Sequence, residues 1–413
     1  SGVGTDVDEG GKIMEELVQQ LATPGGKMVL LVLDGLGGLP HPETGKTELE
    51  TARTPNLDAL ARKGSLGLHD PVAPGITPGS GPGHLGLFGY DPVKHLVGRG
   101  VLSALGVGLE LGPQDVAARI NFASMKDGVI VDRRAGRIPS EEGARLVEKL
   151  SQIRLPGVEI ELKAEMQHRA VVVFRGEGLS PHVTDSDPQE TGVPARRVEP
   201  TSSEPEAARM AEVANQFIAE VNRVLADEWP ANTVLLRGFD RMPNLPSFQE
   251  RYGVNPAVIA VYPMYRGLAR LVGMTVLDAG QEISDEFDRL EAAWNDFDFF
   301  FVHVKPTDSA GEDGDFDRKV QVIEEVDAQI PRLLKLEPAA ILVTGDHSTP
   351  ALFRAHSWHP VPFLIASQWS RWENDCEGFG ERACSRGQLG RVRAVDLMPL
   401  LLAHAGRLKK FGA

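Results

Sequence analysis

The sequence predicts a doubly wound α/β fold, with a mostly parallel sheet flanked by helices and a second α/β domain inserted into it. Three observations carry this expectation. Short runs that are apolar nearly throughout, Met28–Leu33, Phe299–Val304, 339–343 and 361–365, fit strands buried on both faces, as in a parallel sheet covered by helices. Helical segments alternate with these runs. The stretch from Pro113 to Asn232 changes character and is rich in Arg, Glu and Pro.

Each element has a local reason. Thr54-Pro55 opens a helix, with Thr54 at the N-cap and Pro55 in the first turn, and Gly64 closes it. Residues 315–330 form another, with Val322, Val326 and Ile330 on one stripe, and Pro331 is expected to kink or end it. In the middle region 169–174 reads as a strand and 180–205 as mostly polar loop. There Ser203-Glu204-Pro205-Glu206 reads as a capping box starting a helix that runs to about Trp229. The expected division is a discontinuous domain of residues 1–112 and 233–413, with residues 113–232 inserted into it.

Composition narrows the function. The 413 residues carry 43 basic and 58 acidic side chains, a net charge of -15. That excess argues against nucleic acid or an anionic membrane surface as the main partner, while a local Arg cluster with metal ions can still hold an anionic small molecule. No run approaches the roughly 20 apolar residues that span a bilayer. The polar, Gly-rich start, residues 1–11, lacks the apolar core of a signal peptide. Cys376 and Cys384 could bridge, but two thiols in so long a chain read more simply as reduced, and a cytoplasmic location is expected.

The chemistry gathers where apolar runs end. Met28–Leu33 leads into Asp34-Gly35, Phe299–Val304 into Lys305-Pro306-Thr307-Asp308, and 339–343 into Thr344-Gly345-Asp346-His347. Parallel strands bring their C-terminal ends to one edge, so three aspartates and a histidine are expected in one crevice. Like charges there need cations to neutralise them, and mixed Asp and His ligands suit Mn²⁺ or Zn²⁺, an oxygen-rich set also Mg²⁺. Each piece alone has a blander reading. Asp-Gly after a strand is usually a turn. His356 and His359 read equally as loop residues, and His303 reads better as a strand histidine with a satisfied neighbour.

A second signal is Thr77-Pro78-Gly79-Ser80-Gly81-Pro82-Gly83-His84. Its glycines permit close backbone approach to a ligand, and a helix starting there offers free N–H groups to phosphate oxygens. Ser80 at that start would be a nucleophile if a metal lowered its pKa. A plain Gly/Pro turn is the alternative. The spacing of Gly81, Gly83 and Gly86 also matches a dinucleotide fingerprint, but no strand directly precedes it. A third signal is basic: Arg133, Arg134 and Arg137 after Asp132, with Arg119 and Asn121 before them and His168-Arg169 after. Arg266 and Arg270 follow the strand-like 257–261. Grouped arginines in an acidic chain point to carboxylate or phosphate recognition, or else to a solvated loop.

Together these segments resemble the cofactor-independent phosphoglycerate mutases of the archaeal type, within the alkaline phosphatase superfamily. The resemblance rests on Leu31-Val32-Leu33-Asp34-Gly35, Gly79-Ser80-Gly81-Pro82-Gly83-His84-Leu85 with Gly89-Tyr90-Asp91-Pro92, and Lys305-Pro306-Thr307-Asp308. It rests also on Gly345-Asp346-His347-Ser348-Thr349-Pro350, Ala355-His356-Ser357 with Pro360-Val361-Pro362, Arg119-Ile120-Asn121-Phe122-Ala123 and Asp132-Arg133-Arg134-Ala135-Gly136-Arg137. It spans nearly the whole chain from Lys27 onward and implies an alkaline-phosphatase-like core with an inserted substrate-binding domain.

The resemblance implies that the enzyme interconverts 3-phosphoglycerate and 2-phosphoglycerate, a glycolytic step, without 2,3-bisphosphoglycerate. Ser80 would become phosphoserine. One divalent ion would take Asp34, Ser80, Asp346 and His347. The other would take Asp308, His356 and the residue four after Asp308, usually His in the family but Glu312 here. Manganese is the first expectation, with Mg²⁺, Co²⁺ or Zn²⁺ open, because a carboxylate shifts preference toward harder metals. Arg119, Asn121, Arg133, Arg134, Arg137, His168, Arg169, Arg266 and Lys305 would bind the phosphorylated three-carbon acid. Within the fold, a two-metal phosphomonoesterase or a homoserine-kinase-like phosphotransferase is the alternative. From another class, the alternative is a silent metabolite-binding relative with Glu312 as its lesion.

Overall fold

The structure is a computed structural model that describes residues 6–413, so residues 1–5 of the polar start lie outside the described residues. The chain forms two compact units: Leu245–Ala413 with the chain up to Leu96, and Val97–Asn244.

The first unit is built on an eight-stranded sheet. Its spatial order is Gly390–Arg393, Ser65–Asp70, Val361–Ser367, Ala340–Thr344, Met28–Leu33, Phe299–Val304, Pro256–Ile259 and Thr275–Leu277. All six residues of Met28–Leu33 and of Phe299–Val304 are buried, as their unbroken apolar runs require. Both neighbours of Met28–Leu33 run parallel to it. Strand Val361–Ser367 departs from the parallel expectation, since it is antiparallel to both of its neighbours. An apolar run reports that two faces are covered, and it carries no sign of direction.

Helix Phe316–Lys335 packs its Val322, Val326 and Ile330 stripe into the core of this unit. Pro331 lies inside the helix and does not end it. Proline removes the hydrogen bond that Asp327 O would accept, and Asn56 Nδ2 donates to that carbonyl instead at 3.1 Å. The same Asp327 corrects the capping of Pro55–Lys63. Thr54 holds the N-cap position without a capping bond, its hydroxyl facing Asp58. The Asp327 carboxylate accepts from Leu57 N at 2.7 Å and caps the helix from across the interface.

The second unit has an antiparallel sheet in the order Val129–Asp132, Val116–Lys126, Arg169–Arg175 and Glu159–Ala164, with Thr233–Asp240 also paired to Val116–Lys126. Ala118, Ile120 and Phe122 face a core shared with helices Ser140–Leu150 and Pro205–Val224. The alternate residues Arg119 and Asn121 therefore lie on the opposite face. Helix Pro205–Val224 starts from Glu204 without a side-chain cap and stops short of Trp229. The expected capping box of Ser203 and Glu206 is absent because the helix starts one residue later, with Glu204 at the N-cap and its carboxylate turned to Ser180, His182 and Ser202.

Cys376 and Cys384 are both free. Among the described residues no helix is long and apolar enough to cross a membrane.

Candidate active site

Ala340–Thr344, Met28–Leu33 and Phe299–Val304 are parallel neighbours, so the residues that follow them meet at one sheet edge. Asp34, Asp346 and His347 are fully buried there, and Asp308 is 1% exposed. His347 Nε2 lies 3.3 Å from Asp34 Oδ1, 3.1 Å from Asp346 Oδ2 and 3.9 Å from Asp308 Oδ1. Gly35 makes the crossing possible. Its φ is +67°, its N–H donates to Asp346 Oδ1 at 3.0 Å, and a Cβ on it would meet Thr349 Oγ1 at 2.5 Å.

A second group sits beside the first. His356 Nε2 is 3.5 Å from Asp308 Oδ1 and 3.5 Å from Glu312 Oε1, and its ring stacks on that of His347 at 3.6 Å. Asp308 and Glu312 are four apart on helix Pro306–Glu312 and so share a face. Glu312 is the open member of the set, with its side chain 52% exposed. Among the described residues three sets of donor atoms lie within 4.8 Å of one another: Asp34, Asp346 and His347; Asp308, His347 and His356; and Asp34, His84 and His303.

Ser80 joins them. It begins helix Ser80–Leu87, and its Oγ lies 3.5 Å from His347 Nε2. The helix comes this close because Gly83 has no side chain, for a Cβ there would sit 2.7 Å from Asp346 O. Of the dinucleotide-like glycines, Gly83 and Gly86 are therefore packing residues of this helix. Lys305 completes the site, with Nζ donating to Asp308 Oδ2 and 3.2 Å from Tyr265 OH.

The electrostatics follow from burial and neighbours. Burial pushes the Asp34 carboxyl up, but the hydrogen bond from His303, the nearby His347 and the charge of Lys305 hold it well below the usual range. Burial likewise opposes ionisation of Asp308, and His356, Lys305 and His347 hold its pKa low. Burial disfavours the His347 cation, yet Asp346 and Asp34 raise its pKa well above the ordinary value. For His356 burial is outweighed by Asp308 and Glu312, which raise it to about 9. Asp34 Oδ1 and Asp346 Oδ2 are buried and accept no hydrogen bond. Carboxylate oxygens left so in a dry site are costly unless a cation lies against them. Orphaned oxygens that face an imidazole fit divalent ions.

Three residues of this site were not among the sequence candidates. His303 Nε2 is 2.7 Å from Asp34 Oδ2, and Tyr265 stacks on its ring at 3.8 Å. His84 Nδ1 faces Asp346 Oδ2 at 3.3 Å and Ser80 O at 2.8 Å. Spacing alone could have flagged His84, one helical turn after Ser80. His359 Nδ1 bonds Ser357 Oγ, and Arg266 pairs with Asp278.

In the second unit Arg169 pairs in register with Asn121, and Arg237 with Arg119. Four polar side chains thus share one sheet face. Asn121 Oδ1 and His168 Nδ1 are buried without partners. His168 is pushed down to about 4 by burial and by the charges of Arg169, Arg134 and Arg137. Arg133 is held by two hydrogen bonds to the buried Asp187, 2.9 and 2.7 Å long, and Arg237 lies 3.5 Å from the same carboxylate. Arg237 was missed because a lone Arg in an apolar strand gives no clustering signal.

The chain is similar to known proteins along nearly its whole length. The family described as 2,3-bisphosphoglycerate-independent phosphoglycerate mutase matches residues 61–232. A Thermotoga neapolitana protein named "Probable 2,3-bisphosphoglycerate-independent phosphoglycerate mutase" is 52% identical over 402 residues, covering 97% of this chain and 99% of the relative. The solved cofactor-independent phosphoglycerate mutase of Thermoplasma acidophilum is 32% identical, with a TM-score of 0.75 over 92% of this chain and 100% of that one. A solved Pyrococcus horikoshii protein is 33% identical, with a TM-score of 0.78 over 95% of this chain and 100% of that one. With half its residues shared along nearly its whole length, this chain belongs to the 2,3-bisphosphoglycerate-independent phosphoglycerate mutase family.

Proposed function

We propose that this isomerase interconverts 3-phosphoglycerate and 2-phosphoglycerate through a phosphoserine at Ser80, beside two divalent ions. The observation that carries the reading is the place of Ser80 Oγ, 3.5 Å from His347 Nε2, the nitrogen that also faces Asp34 and Asp346. Asp34, Ser80, Asp346 and His347 would hold one ion, and Asp308, Glu312 and His356 the other. Bound there, the ions supply Lewis acidity toward phosphate oxygens and a lower pKa for the serine hydroxyl.

The remaining work falls to the chain's own groups. Ser80, fixed at the start of its helix, takes the phosphoryl group from one hydroxyl of the acid and returns it to the other. Lys305, free to leave Asp308 once a cation neutralises that carboxylate, offers its ammonium to the phosphoryl oxygens. Arg119, Asn121 and Arg169 recognise the acid through its carboxylate, with Arg133, Arg134 and Arg137 supplying positive field. The neutral state of His168 suits it to a substrate hydroxyl rather than to a charge. Return of the phosphoryl group must outrun water, which would make the enzyme a phosphatase.

The test is an assay with 3-phosphoglycerate and Mn²⁺, Mg²⁺, Co²⁺ and Zn²⁺ in turn, following both 2-phosphoglycerate and free phosphate. The expected result is isomerisation without added 2,3-bisphosphoglycerate, abolished by chelator, with little phosphate release. Phosphate release faster than isomerisation would instead support a phosphomonoesterase, and absence of both would support a silent relative.

A further inference from the structure

Thr349 follows the ligand candidate His347 by two residues and is itself fully buried. Its Oγ1 is 2.9 Å from His347 Nδ1 and 2.6 Å from Asp308 Oδ1. A hydroxyl has one proton to give and lone pairs to accept. An ionised carboxylate only accepts, so the Thr349 proton goes to Asp308. The contact with His347 must then run the other way, from Nδ1–H to the hydroxyl oxygen. For the neutral ring, that fixes the tautomer with its lone pair on Nε2, as a metal-ligating imidazole requires. Nε2 is the nitrogen facing Asp34, Asp346 and Ser80.

The hydroxyl is held from every side. Thr349 N donates to Gly35 O and Gly37 O, both at 3.1 Å. Thr349 O accepts from Lys319 Nζ at 3.0 Å. Lys319 is fully buried, and its other contacts are Gly37 O at 3.0 Å and Glu48 Oε2 at 2.9 Å. An ammonium with three donors is thereby saturated, and it clamps the segment after Met28–Leu33 to the segment after Ala340–Thr344. Glu48 also accepts from Ala351 N at 3.3 Å. Thr349 cannot shift without breaking this buried set.

We propose that Thr349 is a positioning residue that links the two halves of the metal centre, one hydroxyl accepting from a ligand of the first ion and donating to a ligand of the second. Resting on the two-ion reading above, this makes the two binding events interdependent. Seating an ion against Asp34, Asp346 and His347 pins the imidazole, and through Thr349 pins Asp308 for the other ion. Loss of the hydroxyl would leave His347 free to adopt the other tautomer and Asp308 Oδ1 without the donor that fixes it.

The experiment is a calorimetric Mn²⁺ titration of the full chain, wild type against Thr349→Val, Thr349→Ala and Thr349→Ser, with circular dichroism of each in chelator. Val keeps the shape and removes the hydroxyl, while Ala and Ser differ in the hydroxyl alone. The expected result is two ions on the wild type and on Thr349→Ser. Thr349→Val and Thr349→Ala should weaken at both sites by about 10–100-fold, the range seen when such outer partners are removed. Wild-type affinities in Thr349→Val or Thr349→Ala overturn the inference, and so does a Thr349→Ser as weak as Thr349→Ala. Fewer than two ions on the wild type itself overturns the two-ion reading and this inference with it.

Discussion

His303 Nε2 lies 2.7 Å from Asp34 Oδ2, with both side chains fully enclosed. The two residues are brought together by parallel pairing of their strands, which sets His303 beside Val32 in register. The contact occupies one carboxylate oxygen and leaves Oδ1 for an ion. His303→Leu, which removes the partner but fills the space, should weaken binding at the first ion site by about 10–100-fold. Mn²⁺ titration checks this, and unchanged affinity would make His303 a packing residue only.

Glu312 is the one ligand candidate with half its side chain in water, and it shares His356 with Asp308. Glu312→Ala should lose the second ion while keeping the first. Glu312→His should keep both and shift the preference from Mg²⁺ and Mn²⁺ toward Zn²⁺ and Co²⁺, following ligand softness. Affinity series for the four ions measure this directly. If Glu312→Ala binds both ions unchanged, the second site is complete without Glu312.

Lys319 and Glu48 form an ion pair with no exposed surface on either side chain. Lys319→Met leaves the Glu48 charge buried alone and should cost about 3–5 kcal/mol in denaturant unfolding. Adding Glu48→Leu should recover much of that loss, because the uncompensated charge goes with it. A double variant no more stable than Lys319→Met would show that the cost lies in the carbonyls of Gly37 and Thr349.

Glu381 sets a pH dependence away from the ligand sets. Burial raises its carboxyl from 4.5 to about 7, against the hydrogen bonds from Thr47 and Gly38. Between those two values the unfolded chain has released this proton and the folded chain keeps it. Stability therefore falls as pH rises through that window, by on the order of 3 kcal/mol, and the loss is complete above it. Glu381→Gln should flatten this part of the stability–pH curve. An unchanged slope in urea unfolding at several pH values would show that the carboxyl titrates normally.

Much of the site could be read from the chain because its polar residues stand directly after uninterrupted apolar runs. Asp34, Asp308, Asp346 and His347 needed only the rule that parallel strands end on one edge. The solved relatives share this α/β architecture. What stayed hidden depends on partners distant in sequence. Pro331 continues a helix because Asn56 takes the freed carbonyl, and Pro55–Lys63 is capped by Asp327 rather than Thr54. The direction of Val361–Ser367 left no trace in its composition. His303 reads in sequence as a strand histidine with a satisfied neighbour, and only the register shows that the neighbour is Asp34.

The central claim is that the phosphoryl group passes through Ser80. The most direct measurement is mass spectrometry of the Mn²⁺-loaded enzyme, acid-quenched during turnover of 3-phosphoglycerate. The account predicts one phosphoryl group on Ser80 in the wild type, and neither phosphorylation nor isomerisation in Ser80→Ala. Isomerisation at the wild-type rate by Ser80→Ala, or turnover with Ser80 never phosphorylated, would contradict it.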